Sequence, residues 1–286
     1  MQSGKALSQF FFLVALLGGA HLSAAQEAYF VTYSHQMEEP GNLEIGVKSV
    51  AGSPSGGNAF LGNALEFEYG AKAWWTSELY LDGQSTANES TVFTGFRSEN
   101  RFRPLLGEHW INPVLYLEFE NINSADKSLL EVVGHDGRVD FLKRNDRSEK
   151  EREAELKLIL SSNVGGWNFS ENIIAEKNLA NEPWEFGYAV GASRTLALKA
   201  AARSCILCRE NFSAGAEMYG GLGDRYSFGL RDTSHYLAPL VEWRTPSGTT
   251  FKVSPGFGLN DNSHGFLFRF SVSYELNQIA SRLRGH

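Results

Sequence analysis

From His264 to Leu276 the chain alternates without a break. Phe266, Phe268, Phe270, Val272, Tyr274 and Leu276 share one face of an extended strand, and Arg269, Ser271, Ser273 and Glu275 share the other, because successive side chains of a strand point to opposite sides. One face is apolar and aromatic, and its reverse is polar and charged. That pattern predicts a strand with lipid on one side and water on the other.

The same two-residue rhythm predicts strands over 42–50, 60–69, 72–81, 91–103, 110–120, 153–161, 167–176, 183–193, 212–220, 236–244, 251–259 and 264–276. The count is about twelve, with fourteen as the alternative. The fold class expected is all-β, a transmembrane antiparallel up-and-down β-barrel closed by pairing 264–276 back onto 42–50, so that no edge remains in lipid. An even count returns both termini to one side, and the short turns at Gly70-Ala71, 163–166 and 246–248 fall on that side while longer loops fall opposite. Three places strain the scheme. Pro113 removes a ladder donor; Glu171 would face lipid if 167–176 kept its register, which predicts a bulge there; and Trp74 and Tyr80 both read as inward.

Composition adds targeting and charge. The 286-residue chain is 42% hydrophobic and 21% charged, and its mean hydropathy of -0.26 suits a barrel whose strands are apolar on one face only. Lys5, the apolar run 10–20 and Ser23-Ala24-Ala25 read as a signal peptide cut after Ala25, too short for a spanning helix. Export combined with alternating strands points to a bacterial outer membrane, with both termini periplasmic. The expected organisation is a signal peptide over 1–25, a polar periplasmic arm over 26–41, the barrel over 42–276 and a polar tail over 277–286. Formal net charge is -7, with no basic stripe, which argues against nucleic acid as a partner.

The inward faces carry the candidate chemistry. Arg97, Glu99, Arg101 and Arg103 share a strand face, joined in the lumen by Glu66, Glu68, Glu78, Glu118 and Arg269. Such charges line a watery pore and set its selectivity, or pair with one another in a closed lumen. The acidic excess favours cations, while the arginine row is a candidate anion constriction; across the closing seam, Arg269 and Glu275 are expected to pair with Glu44 and Lys48. Cys205 and Cys208, the only cysteines, read as a local disulfide, since two thiols supply too few ligands for a metal site. Ser263 with His235 or His264 raises a lipid hydrolase, but adjacent residues of a strand face opposite ways and no triad spacing is present. The tryptophans fall mostly near strand ends, as interface girdles do. No spacing calls for a cofactor or a resident metal.

The terminal pattern of Phe266, Phe268, Phe270, Val272 and Tyr274, together with the signal peptide and hairpin rhythm, resembles bacterial outer-membrane β-barrels. The resemblance implies outer-membrane lipids and the barrel-assembly machinery as partners, although a polar tail follows Leu276 where such chains usually end; small solutes are the cargo expected from the charged lumen, and the missing triad spacing argues against an enzyme. The resemblance supplies no substrate-binding residue. The expected function is a channel for passive passage of small solutes; the alternative is a closed structural or docking barrel that meets a periplasmic or surface protein through the ionic segment 121–150 or the cysteine insertion.

Overall fold

The computed structural model describes residues 28–53, 58–123, 133–134, 150–180, 182–198 and 205–279. The signal peptide, most of the ionic segment 121–150 and the end of the polar tail lie outside them. The alternating segments form β1 (Leu43–Gly52), β2 (Phe60–Lys72), β3 (Trp75–Thr86), β4 (Thr91–Phe102), β5 (Asn112–Asn123), β6 (Lys150–Val164), β7 (Trp167–Asn178), β8 (Trp184–Thr195), β9 (Phe212–Asp224), β10 (His235–Arg244), β11 (Thr249–Gly258) and β12 (Phe266–Leu276). Each strand pairs antiparallel with its sequence neighbours, and β12 pairs with β1 from Leu43↔Leu276 to Gly52↔Leu267, which closes the barrel. Among the described residues the strands number twelve, not fourteen.

Polarity is inverted relative to a water-soluble fold. Outward-facing Leu115, Ile173 and Phe266 are 54%, 57% and 50% exposed, whereas inward-facing Glu99, Glu217 and Arg101 are 0%, 1% and 2% exposed. Only an apolar surround makes that arrangement stable. Strands of 10 to 15 residues meet the length of about 9–11 residues that a tilted strand needs to span a bilayer. Near the end that carries Leu43 and Leu276, Trp75 stacks on Phe102, Trp167 on Phe169, and Trp243 lies between Phe212 and Phe251. These outward aromatics form a girdle at one interface.

Two local expectations are corrected. No bulge interrupts β7: its ladders to β6 and β8 are continuous, so Glu171 faces outward between Phe169 and Ile173, opposite Leu160 and Val190. Continuous cross-strand pairing on both sides outweighs the cost of one outward carboxylate. Trp74 sits in the β2–β3 turn, exposed and stacked on Trp75 and tilted against Phe102, not in the lumen. Tyr80 is inside, as its alternation requires.

The largest difference concerns the residues before β1. Expected as part of a periplasmic arm over 26–41, the described residues from 28 on enter the barrel, where Tyr29, Thr32, Ser34 and His35 are each no more than 2% exposed, and only Glu39 and Pro40 at the mouth are exposed. Val31 packs against an apolar cluster that includes Val50, Tyr219, Tyr236 and Leu267, and Tyr33 and Met37 pack against Val114, Tyr116 and Ile159. The wall makes room at two glycines. A Cβ at Gly70 would lie 2.1 Å from the Glu39 carbonyl oxygen, and one at Gly191 would lie 2.5 Å from the Tyr29 ring. A polar segment enters the lumen because its backbone donors and acceptors find polar side chains there, as buried backbone groups must.

Candidate functional site

The segment 28–41 is held by the strands it crosses. The Glu217 carboxylate on β9 accepts three consecutive backbone N–H groups, from Phe30 at 3.3 Å, Val31 at 3.0 Å and Thr32 at 2.9 Å. Successive N–H groups aimed at one anion form a concave anion site of the kind turns make. On β7, Asn172 accepts from Tyr33 N–H at 2.6 Å and donates to the Tyr33 carbonyl at 2.8 Å. The Tyr33 hydroxyl donates to Glu99 at 3.0 Å, and Arg101 donates to the Gln36 carbonyl at 3.2 Å. Nearer the mouth, His35 bridges Ser161 at 2.8 Å and Glu108 at 3.1 Å, and Glu38 N–H donates to Thr76 at 3.1 Å. Burial pushes the His35 imidazole below its usual range, opposed by the Glu108 carboxylate. Burial, then the neighbouring Glu275 and Glu44, pushes the Glu38 carboxyl up to about 8.

Behind this segment the wall carries a row of acids that only the register reveals. Glu275 faces Glu44, Glu44 faces Glu68, and Glu68 faces Glu78 across successive ladders. The row continues through Glu99, Glu118, Glu155, Glu176 and Glu185. Strands in a barrel are tilted, so a row perpendicular to them climbs the axis. This one climbs from the termini-bearing end, where β1 begins, to the opposite end, where β8 begins. Glutamates directly opposite one another repel, and the neighbouring rows supply the compensation.

Arg97 lies one row above, Lys48 two rows above, and Arg101 and Lys157 one row below. Arg97 donates to Asp82 at 3.2 Å and to Glu118 at 3.1 Å, stands 3.6 Å from Glu99, and lies over the Tyr80 ring at 4.2 Å. Arg101 pairs with Glu68 and, at 2.6 Å, with Glu78. Lys48 reaches Glu66 at 2.7 Å, and Lys157 reaches Glu155 at 2.7 Å. The Tyr80 hydroxyl stands 2.7 Å from Glu66 and 2.6 Å from Glu78, its one proton available to either, and Tyr116 donates to Glu118. A cavity of about 120 Å³ remains between 28–41 and this lattice, lined by Tyr33, Lys48, Tyr80, Arg97, Glu118, Lys157 and Arg269 among others; it has room for several waters.

The predicted lumen residues Glu66, Glu68, Glu78, Arg97, Glu99, Arg101, Glu118 and Arg269 are thus buried inside the barrel. The arginine row is divided: Arg97 and Arg101 are occupied by carboxylates, and Arg103 turns at the mouth toward Gly107 and Asn112. The register does not set the groups expected to pair across the closing seam opposite one another: Lys48 faces Ser271, Arg269 faces Val50 and Glu275 faces Glu44. Arg269 instead donates to Tyr219, and Glu275 accepts from Asn42. Glu176 and Glu185 are not in the expected set, although the alternation of their strands turns both inward; the register adds their place at the end of the row.

Cys205 and Cys208 are joined as a disulfide, Cα atoms 5.3 Å apart, in the β8–β9 connection. Trp243 donates to the Ile206 carbonyl at 3.0 Å and fastens that loop to the outer wall. Ser263 and His235 do not form a nucleophile and base. Ser263 Oγ accepts from the His235 backbone N–H and donates to its carbonyl, both at 2.8 Å, while the imidazole is turned to Tyr188 and Thr233.

No family model and no curated protein matches the sequence. Among solved structures, an outer membrane channel from Pseudomonas putida F1 superposes with a TM-score of 0.54 at 9% identity, over 85% of this chain and 98% of that one. The KdgM porin in complex with disordered oligogalacturonate gives a TM-score of 0.50 at 8% identity, over 82% of this chain and 98% of that one. The chain has the fold of an outer-membrane β-barrel. At these identities the likeness is one of architecture, and the features inside this barrel have to be read from its own residues.

Proposed function

We propose that this barrel is a cation-preferring channel of a bacterial outer membrane for small solutes, held shut along its axis by residues 28–41. One observation carries the reading: the glutamate row from Glu275 to Glu185 runs from end to end of the lumen beneath a segment fastened by side chains, not by the wall's own backbone ladder. A charged path of one predominant sign beneath a segment that side chains hold in place supports that reading. Lys48, Arg97, Arg101 and Lys157 offset part of the acidic row, and the surplus carboxylates favour cationic solutes over anionic ones.

The test is the reversal potential of protein lacking 28–38 in planar bilayers under a potassium chloride gradient. The reading expects a cation-selective sign that weakens when Glu99 and Glu118 are changed to Gln. An anion-selective sign rejects it. The dense pairing of Arg97 and Arg101 favours a second reading, a permanently closed structural barrel, and absence of current after removal of 28–38 would support that instead.

A further inference from the structure

The wall of the barrel has a weak line that the axial reading does not use. Between β10 and β11 the register runs Tyr236↔Gly258 and Leu237↔Phe257, stops, and resumes in the same frame at Val241↔Val253. The residues that would meet at the centre of the interruption are Pro239 and Pro255. Proline has no N–H to give a ladder. Which donors are lost follows from alternation: Leu259 N–H donates to the His235 carbonyl and Thr245 N–H to the Thr249 carbonyl, both at 2.8 Å, so hydrogen-bonded pairs recur every second position from 235/259 to 245/249. Position 239/255 belongs to that series. The two prolines therefore occupy both donor positions of one hydrogen-bonded pair, while the ladders of β10 to β9 and of β11 to β12 run on unbroken past them.

The interruption leaves three residues of each strand unpaired, and the pairs that flank it stand about 13 Å apart along the wall. One bond crosses it: Ser254 Oγ donates to the Pro239 carbonyl at 2.9 Å, standing in for the N–H that Pro255 lacks. The inner face there is formed by Ala238, Leu240, Ser254 and Gly256, apolar or small residues throughout. Immediately behind it lies the apolar cluster of the lumen, with Tyr219, Tyr236, Ala238 and Leu267. The Tyr219 hydroxyl would lie 3.4 Å from a Cβ at Gly256 and is held by Arg269, which also lines the internal cavity. On the outer face Leu237, Val241, Val253 and Phe257 are exposed to the apolar surround.

We propose that the β10–β11 seam is a lateral opening through which small apolar molecules pass between the lumen and the hydrocarbon of the membrane, with the Tyr219–Arg269 pair as its inner latch. The seam is placed mid-wall, is lined on both faces by apolar or very small residues, and lacks the two bonds that would close it. Its occupant is an uncharged apolar molecule, because Leu237, Val241, Val253 and Phe257 on the outer side offer a charge entering hydrocarbon no partner.

The experiment uses the full chain in liposomes with 1-naphthol as probe and follows its transfer from the lumen side into a quencher-labelled bilayer. Ala238 and Gly256 are opposed by the register on either side, in a non-hydrogen-bonded position, so A238C/G256C can be cross-linked by oxidation and released by reductant in the same preparation. Wild type carried through the same redox cycle controls for Cys205 and Cys208. A second variant, P239V/P255V, returns the two donors; two ordinary backbone bonds make an opening about thirtyfold rarer. The proposal expects transfer to fall about thirtyfold in P239V/P255V, to stop on cross-linking and to recover on reduction, while ion conductance of the same variants lacking 28–38 stays unchanged. Transfer at the wild-type rate through the cross-linked barrel overturns it. Loss of ion conductance alone would count against the axial reading and leave the seam standing.

Discussion

Replacing Glu217 by Gln removes the anion around which Phe30, Val31 and Thr32 turn their N–H groups. The carboxylate is 1% exposed, and one of its oxygens accepts two of the three bonds. Glutamine keeps the shape of the side chain but presents an NH₂ group to at least one backbone donor. The charge-assisted bonds lost, with the mismatch left behind, amount to about 3 kcal/mol, which raises the fraction of barrels with 28–41 displaced by a little over a hundredfold. The two bonds between Asn172 and Tyr33 remain, so the segment is loosened, not expelled. Planar-bilayer recordings should show brief openings in E217Q that are rarer by that factor in wild type, and protease added from the termini-bearing side should cut within 28–41 in E217Q first. If E217Q stays as silent and as protected as wild type, Glu217 is not the lock, and the obstruction is held by packing on the two apolar clusters.

Other perturbations act on the same segment from other sides. Gly70→Ala places a methyl 2.1 Å from the Glu39 carbonyl, a backbone collision that costs about 1–3 kcal/mol; openings should increase as in E217Q, and unchanged recordings would mean that the segment enters elsewhere. Glu38 supplies a pH dependence. Its carboxyl is raised to about 8 in the seated segment and returns to its ordinary range on release, so the seated state binds the extra proton. That contribution to seating is complete below the ordinary range and is lost as pH climbs through about 8. Openings should therefore become more frequent from about pH 4.5 to about pH 8 and level off above that, and E38Q should flatten the curve; an opposite slope in wild type that E38Q abolishes would contradict the placement of Glu38 beside Glu44 and Glu275.

The wall was legible in the sequence because lipid outside and polar groups inside impose alternation on every strand. The face of each of Leu115, Phe268, Glu99 and Arg101 could be read from its parity alone. Register could not, since parity leaves the height of a strand undetermined, and so the glutamate row and the separation of Arg269 from Glu44 emerged only with the ladders in hand. The filling of the lumen was illegible for a different reason. The residues 28–41 look polar and unpatterned, as a free arm does, and their partners Glu217, Asn172 and Glu99 lie between 66 and 187 positions away. Pro239 and Pro255 were visible as residues, but their meaning depends on facing each other.

The account stands most directly on whether residues 28–41 close an existing path. Paired planar-bilayer recordings of the full chain and of the chain lacking 28–38, both shown to be folded by their heat-dependent migration on gels, decide it. The account predicts a full chain that is silent apart from rare openings and a shortened chain that conducts continuously with cation preference. A shortened barrel that is folded and still silent would contradict it.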